Sequence, residues 1–263
     1  MSQLVRHSFA CTPRPTFARR HTLSLLSLGG IVLALPLASQ AEGFVDDSKA
    51  TLNLRNAYFN RNYTNPAYPQ GKAEEWTQSF ILDAKSGFTQ GPVGFGVDVL
   101  GMYSQKLDGG KGTGGTQLLP IHDDGRPADN FGRMGVAVKG KISKTELKVG
   151  EWMPVLPVLR SDDGRSLPQT FRGGQVTSTE ISGLTLYGGQ FRQNSPRNDA
   201  SMEDMSMNGR AAFTSDRFNF AGGEYTFNDK RTLVGVWYSE LSDIYQQQYF
   251  NLSHSQPMGD WTL

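Results

Sequence analysis

Residues 76–103 read WTQSFILDAKSGFTQGPVGFGVDVLGMY, and their alternation decides the fold. In the first part, Phe80 and Leu82 fall on one face of an extended chain, whereas Ser79 and Asp83 fall on the other. The last eleven residues alternate in the same way, and the TQGP segment between the two parts has the composition of a tight turn. Since successive side chains of a strand point to opposite faces, this pattern predicts two antiparallel strands with one mainly apolar face.

The same period of two extends over much of the chain, including segments 133–142, 184–187 and 234–239. We expect about ten or eleven strands in all. Many of them reach the roughly 9–11 residues that a tilted strand needs to cross a bilayer, which is longer than the usual 5–6 residues. Aromatic residues lie near the predicted strand ends: Tyr58, Phe59, Trp76, Phe88, Tyr103, Trp152, Phe213 and Tyr238.

The predicted connections differ in length in the way typical of outer-membrane barrels, which have short turns at one end and long loops at the other. The long polar loops are 108–130, 160–173 and 195–210. A soluble sandwich or solenoid would also alternate, but Arg55, Arg133 and Lys139 lie in mid-strand, where a wet lumen can accommodate charge. The fold is therefore predicted to be all-β, an antiparallel transmembrane β-barrel.

The first 41 residues have the features of an export signal. Arg14, Arg19 and Arg20 precede the apolar run Leu23–Leu37, and small residues follow at the end of the segment. The run is too short for a membrane-spanning helix. We expect residues 1–41 to be cleaved after Ala41 and residues 42–263 to form part of a barrel in the outer membrane.

Composition excludes several classes of protein. The single cysteine, Cys11, lies in the predicted signal, so the remaining chain has no disulfide, no cysteine-ligated metal and no thiol nucleophile. The signal carries four of the 26 basic residues and none of the 25 acidic ones, which leaves 22 basic residues and a net charge of −3. That balance gives no basic field for nucleic acid.

Motifs of enzymes and cofactor sites are also missing from the sequence. It contains no H-E-x-x-H and no G-x-S-x-G, and His122 and His254 are far apart after the signal. The tetrapeptide DDGR occurs at 123–126 and again at 162–165, but too few oxygen ligands follow for calcium, so a polar turn is favoured. We predict no catalytic residues, no metal and no cofactor.

The segment Trp152–Gly173, WMPVLPVLRSDDGRSLPQTFRG, resembles the OprD-type family of substrate-specific porins of pseudomonads, also called outer-membrane carboxylate channels. The RSLPQTF motif at Arg165–Phe171 matches the loop that folds into the pore in that family. A second match is Gly43–Ala50 with the following Leu52–Arg61, and the resemblance covers Glu42–Leu263. It implies a barrel of eighteen strands, of which the N-terminal ten or eleven are present here, and an inward constriction loop at about 154–173.

The resemblance further implies a ladder of basic side chains on one wall of the lumen, facing an acidic or polar inward loop. Guanidinium groups in a row replace the water that a carboxylate loses in a narrow pore, and several weak sites let the anion leave again. The matching loop arginines are Arg160, Arg165 and Arg172. The wall candidates, chosen by strand parity, are Arg55, Arg133, Lys139 and Arg192. The candidates at the narrowest point are Asp162, Asp163 and Gln169.

By resemblance, the expected function is passive uptake of small carboxylates, with aromatic or other simple carboxylates favoured. A basic amino-acid or peptide-selective porin of the same family is an alternative, and an outer-membrane barrel enzyme or adhesin is an alternative from another class. Expected partners are outer-membrane lipid, carboxylate solutes and the export and barrel-assembly machinery, with a possible loose homotrimer. Residues 259–263 look like the start of a further strand, so we expect the sequence to be the N-terminal part of a longer chain.

Overall fold

The computed structural model describes residues 43–207, 212–258 and 261–262. The predicted signal and its cleavage site lie outside the described residues. The strands are β1 (Lys49–Asn62), β2 (Lys72–Lys85), β3 (Gly94–Asp108), β4 (Asn130–Ile142), β5 (Thr145–Trp152), β6 (Val155–Leu156), β7 (Leu159–Arg160), β8 (Thr170–Ser178), β9 (Leu184–Ser195), β10 (Met205–Ser206), β11 (Thr214–Ser215), β12 (Phe218–Phe227), β13 (Thr232–Leu241), β14 (Tyr245–His254), β15 (Pro257–Met258) and β16 (Trp261–Thr262). Within the described ranges, no helix has the length and apolar character needed to cross a bilayer.

Ten of these strands form one sheet in the order β1-β2-β3-β4-β5-β8-β9-β12-β13-β14, and each pairs antiparallel with its neighbours. The β1–β2 ladder runs without interruption from Lys49↔Lys85 to Asn62↔Lys72. Strands 13–15 residues long at this end of the sheet confirm the prediction of an all-β, antiparallel barrel wall. The sheet is open in the described part of the chain, with β1 and β14 at its edges.

One face of the sheet, which we call the outer face, exposes large apolar side chains in regular alternation. Leu54, Val138 and Phe250 are each 59–67% exposed. The neighbours of Val138 on the other face, Ala137 and Lys139, are buried and half-buried, so in this strand the period of two in the sequence corresponds directly to the two faces. A continuous apolar face of this kind suits contact with lipid.

Aromatic residues near the strand ends divide between the faces. Tyr58, Trp76 and Tyr103 lie on the outer face, where each is 41–58% exposed. Phe59, by contrast, packs against buried residues of the inner face, as does Trp152. An aromatic residue near a strand end therefore marks the membrane boundary only when its parity is that of the apolar face.

Long connections lie at one end of the sheet. We call residues 109–129 the glycine-rich loop, residues 153–169 the inner loop and residues 196–217 the cap loop. The connection 63–71 also lies at this end, and the turn 242–244 is the short exception there. The opposite end carries the turns 86–93, 143–144, 179–183 and 228–231. This asymmetry is the one expected for a barrel with its long loops outside the cell.

The inner loop packs onto the inner face through two apolar clusters. Leu156 and Val158 join a cluster that is rich in aromatic rings: Phe171, Phe191, Phe218, Phe220 and Trp237. Leu167, which has no exposed surface, joins a second cluster: Ile81, Leu100, Met102, Leu118, Leu119 and Phe131. Burial of side chains of this size contributes about 1.5–3 kcal/mol each, so the two clusters hold the loop against the wall at both of its ends.

The aromatic cluster requires glycine at two positions of the sheet, because a side chain there would collide with its rings. A Cβ added at Gly222 would lie 2.2 Å from Cδ2 of Trp237, and one added at Gly189 would lie 2.8 Å from Cζ of Phe220. Both distances are far shorter than any carbon–carbon contact. Glycine at these two positions therefore lets the rings lie flat on the sheet.

Candidate functional site

The inner loop is also tied to the sheet through polar contacts. Oγ of Ser166 lies 2.7 Å from Oγ1 of Thr77 on β2, and both residues are fully buried. Nε of Arg165 donates to the carbonyl of Thr116 in the glycine-rich loop at 2.9 Å, and its guanidinium lies 5.1 Å from the centre of the Phe59 ring. Arg165 is thus engaged in holding two loops and a strand together.

Arg55 on β1 clamps the inner loop from the other side. Its two terminal nitrogens contact the two carboxylate oxygens of Asp163 at 2.8 and 3.1 Å, and one of them also donates to the carbonyl of Arg165 at 2.7 Å. This bidentate pairing is the strongest geometry for an arginine and a carboxylate. It brings together two residues that the sequence assigned separately to the wall and to the loop.

Arg133 on β4 holds two loops through neutral oxygens. One terminal nitrogen donates to Oγ of Ser195 at 2.8 Å, to the carbonyl of Pro196 at 2.7 Å and to the carbonyl of Asp199. The other donates to the carbonyl of Pro168 in the inner loop. Arg133 makes no ion pair with any described residue, although the carboxylates of Glu151 and Asp199 act on it electrostatically.

Lys139 lies towards the short-turn end of the same inner face. Its ammonium is 2.8 Å from Oδ1 of Asp98, and the ammonium of Lys148 is 2.5 Å from Oδ2 of the same carboxylate. Lys139 also donates to the carbonyl of Ser86 at 2.7 Å and lies 4.9 Å from the centre of the Phe88 ring. One buried carboxylate therefore serves two lysines, and the group carries one net positive charge.

A chamber of about 610 Å³ lies between the inner loop and the cap loop. Three of the predicted residues, Arg160, Asp162 and Gln169, line it. Its other lining includes the apolar residues Leu159, Phe171, Met205, Phe218, Leu241 and Tyr245. The chamber thus combines polar groups from one loop with an apolar wall, which is the usual character of a small-molecule site.

Arg160 is the one predicted arginine without a polar partner. It lies on β7 and is exposed, and it makes no side-chain hydrogen bond or ion pair with any residue in the described part of the chain. Gln169, by contrast, is engaged twice with Asp162. Its side-chain carbonyl accepts from the Asp162 backbone amide at 3.3 Å, and its backbone amide donates to the Asp162 carbonyl at 2.8 Å. The guanidinium of Arg160 is therefore free to contact a solute in the chamber.

Arg197 in the cap loop was missed by sequence reasoning. Its Nη1 lies 2.5 Å from Oδ2 of Asp162, and its Nη2 donates to the side-chain carbonyl of Gln117 in the glycine-rich loop. Arg197 and Gln117 both line the chamber. No local motif marks this contact, because its partners lie 35 and 80 residues away along the chain.

Charge and burial act in opposite directions on the loop residues. Burial favours a raised pKa at Asp162, but the Gly164 amide and the Arg197 guanidinium outweigh it, so the pKa lies below its ordinary value. Burial lowers the pKa of Arg165, and the nearby charge of Arg197 lowers it further. Asp162 is therefore an ionised carboxylate at neutral pH and can form a salt bridge with Arg197.

Two predicted residues lie apart from the chamber. Arg172 is 53% exposed and lies 3.6 Å from Glu151 on the neighbouring strand. Arg192 is 55% exposed and pairs with Asp216 at 2.7 Å. Arg192 is also the extra residue of a β-bulge, since β8 pairs with the residues on either side of it.

Strand parity places Arg192 with Leu186 on the outer face, opposite the buried Phe191. Its expected position on the polar wall of the lumen is therefore corrected. The bulge permits this placement, because a bulged residue lies outside the regular ladder and its side chain can turn to a partner such as Asp216.

Comparison with known proteins gives a family for this arrangement. The protein-family model described as outer membrane porin, OprD family, matches residues 42–263. The chain belongs to the OprD family of porins. A curated relative, the porin-like protein GalP of Pseudomonas putida, is 72% identical over 233 residues, which are 89% of this chain and 57% of that protein.

Solved structures agree with the fold of the OprD-family chain. A BenF-like porin of Pseudomonas fluorescens is 77% identical with a TM-score of 0.80, and the match covers 84% of this chain and 57% of that one. OccK2 (OpdF) of Pseudomonas aeruginosa in complex with glucuronate is 63% identical, with a TM-score of 0.72 and 53% of its chain covered. OpdK of the same species with vanillate is 50% identical, with a TM-score of 0.76 and 55% covered. For both, 84% of this chain is matched.

Membership explains the architecture described above. OprD-family porins are outer-membrane proteins, and porins are channels rather than enzymes. The exposed apolar face of the sheet agrees with that location. This OprD-family chain spans about half the length of the curated relatives that it matches.

Proposed function

We propose that the protein carries out passive uptake of small carboxylates across the outer membrane, with aromatic carboxylates favoured. One observation carries this proposal: Arg160 lines the chamber between the inner and cap loops and has no polar partner among the described residues. The inner loop would act as the constriction of the pore. Nothing is converted chemically in this process, and the concentration gradient drives the flux.

The chemistry of the chamber supports an anionic solute of modest size. A volume of about 610 Å³ suits a small organic acid. The free guanidinium of Arg160 can replace the water that a carboxylate loses, and the rings of Phe171 and Tyr245 can contact an apolar body. Because only one arginine among the described lining residues is free, binding stays weak enough for release.

The relatives support the same solute class. Structures of two family members have been solved with glucuronate and with vanillate, both of which carry a carboxylate, and only vanillate is aromatic. The apolar side of the chamber in this chain is our reason to favour the aromatic class. Export through a cleaved signal, contact with the assembly machinery and a loose homotrimer remain predictions.

The test is single-channel recording in planar bilayers with the protein purified from outer membranes of expressing cells. Loss of a hydrogen bond to a charged group costs about 1.5–3 kcal/mol, so Arg160→Ala should raise the half-saturating benzoate concentration about tenfold or more. Arg160→Lys should raise it less, because the positive charge is kept. The matched control is Arg126→Ala, since Arg126 is 65% exposed in the glycine-rich loop and does not line the chamber.

Three outcomes would contradict the proposal. Unchanged benzoate saturation in Arg160→Ala would remove the role of the free guanidinium. Preference for arginine over benzoate would favour the porin class that takes basic amino acids. Absence of conductance in the purified protein would favour a plugged, structural barrel.

A further inference from the structure

The two salt bridges that the inner loop makes differ in how strongly they are built. Asp163 is held by Arg55 through both of its oxygens, and Arg55 has further bonds to backbone carbonyls. Asp162 meets Arg197 through a single oxygen, Oδ2, while its Oδ1 accepts from the amide of Gly164 at 2.9 Å. The Arg197 contact is therefore the weaker of the two ties, and it is the one that lines the chamber.

Solvent and solute can reach this weaker pair. The side chain of Asp162 is 44% exposed and that of Arg197 is 21% exposed, and both border the same space as Arg160. A carboxylate in that space carries the same functional group as Asp162 and can take the same position on the Arg197 guanidinium. Partly exposed ion pairs are weak enough for such an exchange.

The pair also joins two loops that would otherwise move separately at this point. Asp162 belongs to the inner loop and Arg197 to the cap loop, and Arg197 also reaches Gln117 in the glycine-rich loop. Arg133 still attaches the cap loop to β4 through Ser195 and Pro196. Breaking the Asp162–Arg197 pair would therefore separate the cap loop from the inner loop at the chamber without releasing it from the sheet.

We propose that Asp162 and Arg197 form a latch that the solute itself opens. The incoming carboxylate replaces Asp162 on Arg197, and the cap loop then separates from the inner loop at the chamber. No covalent bond changes, and the ion pair re-forms when the solute leaves. Arg197 becomes a second binding group for the carboxylate, beside Arg160. This inference rests on the proposed function, because it requires a carboxylate in the chamber.

Opposite effects of the two partners test the latch. Asp162→Asn removes the competing carboxylate and frees Arg197, so the half-saturating benzoate concentration should fall about three- to fivefold. Arg197→Gln removes the binding group, so that concentration should rise by a similar factor. Both variants should increase open-channel noise, because the tie between the loops is lost in each.

The double variant and a matched control sharpen the test. Asp162→Asn with Arg197→Gln should behave like Arg197→Gln alone, because Asp162 acts through Arg197. The control is Asp124→Asn, because Asp124 belongs to the other DDGR tetrapeptide, as its second aspartate, and pairs with Arg126 outside the chamber. It should leave benzoate saturation unchanged. Retained heat-modifiable migration on gels would show that each variant is folded.

The outcomes separate this inference from the proposed function. If the wild-type protein does not conduct benzoate, the proposed function fails and the latch fails with it. If the wild type conducts benzoate but Asp162→Asn and Arg197→Gln shift saturation in the same direction, the contact is a structural tie only, and the latch alone is refuted. Opposite shifts in the two variants support it.

Discussion

Replacing Arg133 by methionine should release the loops from the barrel wall. The guanidinium donates to four neutral oxygens, three in or beside the cap loop and one in the inner loop. Methionine has a similar length but cannot donate a hydrogen bond. The Pro168 carbonyl and the Ser195 hydroxyl would then lose their donor in the closed arrangement, whereas the Pro196 carbonyl still accepts from the Asp199 amide and the Asp199 carbonyl from the Ser195 hydroxyl. The arrangement with loops released would be unaffected.

The size of the effect follows from the two acceptors that lose their donor. An acceptor left without a partner costs about 1–3 kcal/mol, and we take the low end because Arg133 is only partly buried and water can enter. Two acceptors then give about 2 kcal/mol, which increases the population with released loops roughly thirtyfold. Arg133→Lys should give an intermediate value, because an ammonium keeps the charge but lacks the planar fork.

Limited trypsin digestion of outer-membrane preparations measures this population. Cleavage after Arg160 or Arg165 requires the inner loop to leave the wall, and its rate follows the equilibrium population of the open form when opening is fast. Arg126→Met is the control, because Arg126 pairs only within its own exposed turn. Cleavage in Arg133→Met within threefold of the wild-type rate would refute the reasoning, provided that the variant still shows heat-modifiable migration.

Two further predictions concern acidity and packing. Burial favours a raised pKa at Asp162, but the Gly164 amide and Arg197 outweigh it, so the pKa in the folded protein is lowered. The stabilisation that the Asp162–Arg197 ion pair gives is therefore fully present above the ordinary aspartate pKa of about 3.9. It is lost as pH falls through the lower pKa of the folded state. Open-channel noise recorded against pH should therefore rise only below the ordinary aspartate range, and a rise near pH 6 would contradict this. Gly222→Ala places a Cβ 2.2 Å from the Trp237 ring and should destabilise the barrel by about 1–3 kcal/mol or more, seen as a lower transition temperature on heat-modifiability gels, whereas Gly110→Ala, which meets nothing within 4 Å, should have no effect.

The alternation of the sequence was sufficient to predict the wall of the barrel. Phe80 and Leu82 were placed on the apolar face and Ser79 on the polar face, and the register of β1, β2 and β3 confirms both placements. This works because side-chain direction in a strand depends only on parity, so local sequence carries the information. Arg192 departs from its expected place on the polar wall, since it shares the parity of the exposed Leu186 and a bulge removes it from the ladder.

Partners of the charged residues could not be predicted in the same way. The two DDGR tetrapeptides are identical in sequence, yet Asp124 pairs with Arg126 inside its own turn, whereas Asp162 and Asp163 pair with residues of two other elements. Which partner a loop carboxylate meets depends on the positions of distant loops, and local sequence does not encode those positions. Arg197 was missed for this reason, although its chemistry is the same as that of Arg160.

Whether a basic side chain is already paired with a carboxylate also determines how strongly it attracts an anion in the pore. Asp163 neutralises Arg55, so that pair holds the inner loop but contributes little potential. Arg133 is held by neutral oxygens, so it fixes two loops and keeps its positive charge at the same time. Lys139 and Lys148 share the single carboxylate of Asp98, which leaves one positive charge nearer the short-turn end.

Among the described residues, Arg160, Arg133 and the Asp98 group each place a positive charge on the inner face, and the carboxylates of Glu151 and Asp199 act on that of Arg133. The guanidinium of Arg160 is free to bind a solute directly, whereas the terminal nitrogens of Arg133 and the ammonium groups of Lys139 and Lys148 already have partners and act through their fields. A series of this kind attracts a carboxylate along the wall without offering it a second site as strong as the first, which is what rapid passage requires. The number of basic residues in the lumen is thus a poor guide to affinity, and the acceptors that each one already has are the better guide.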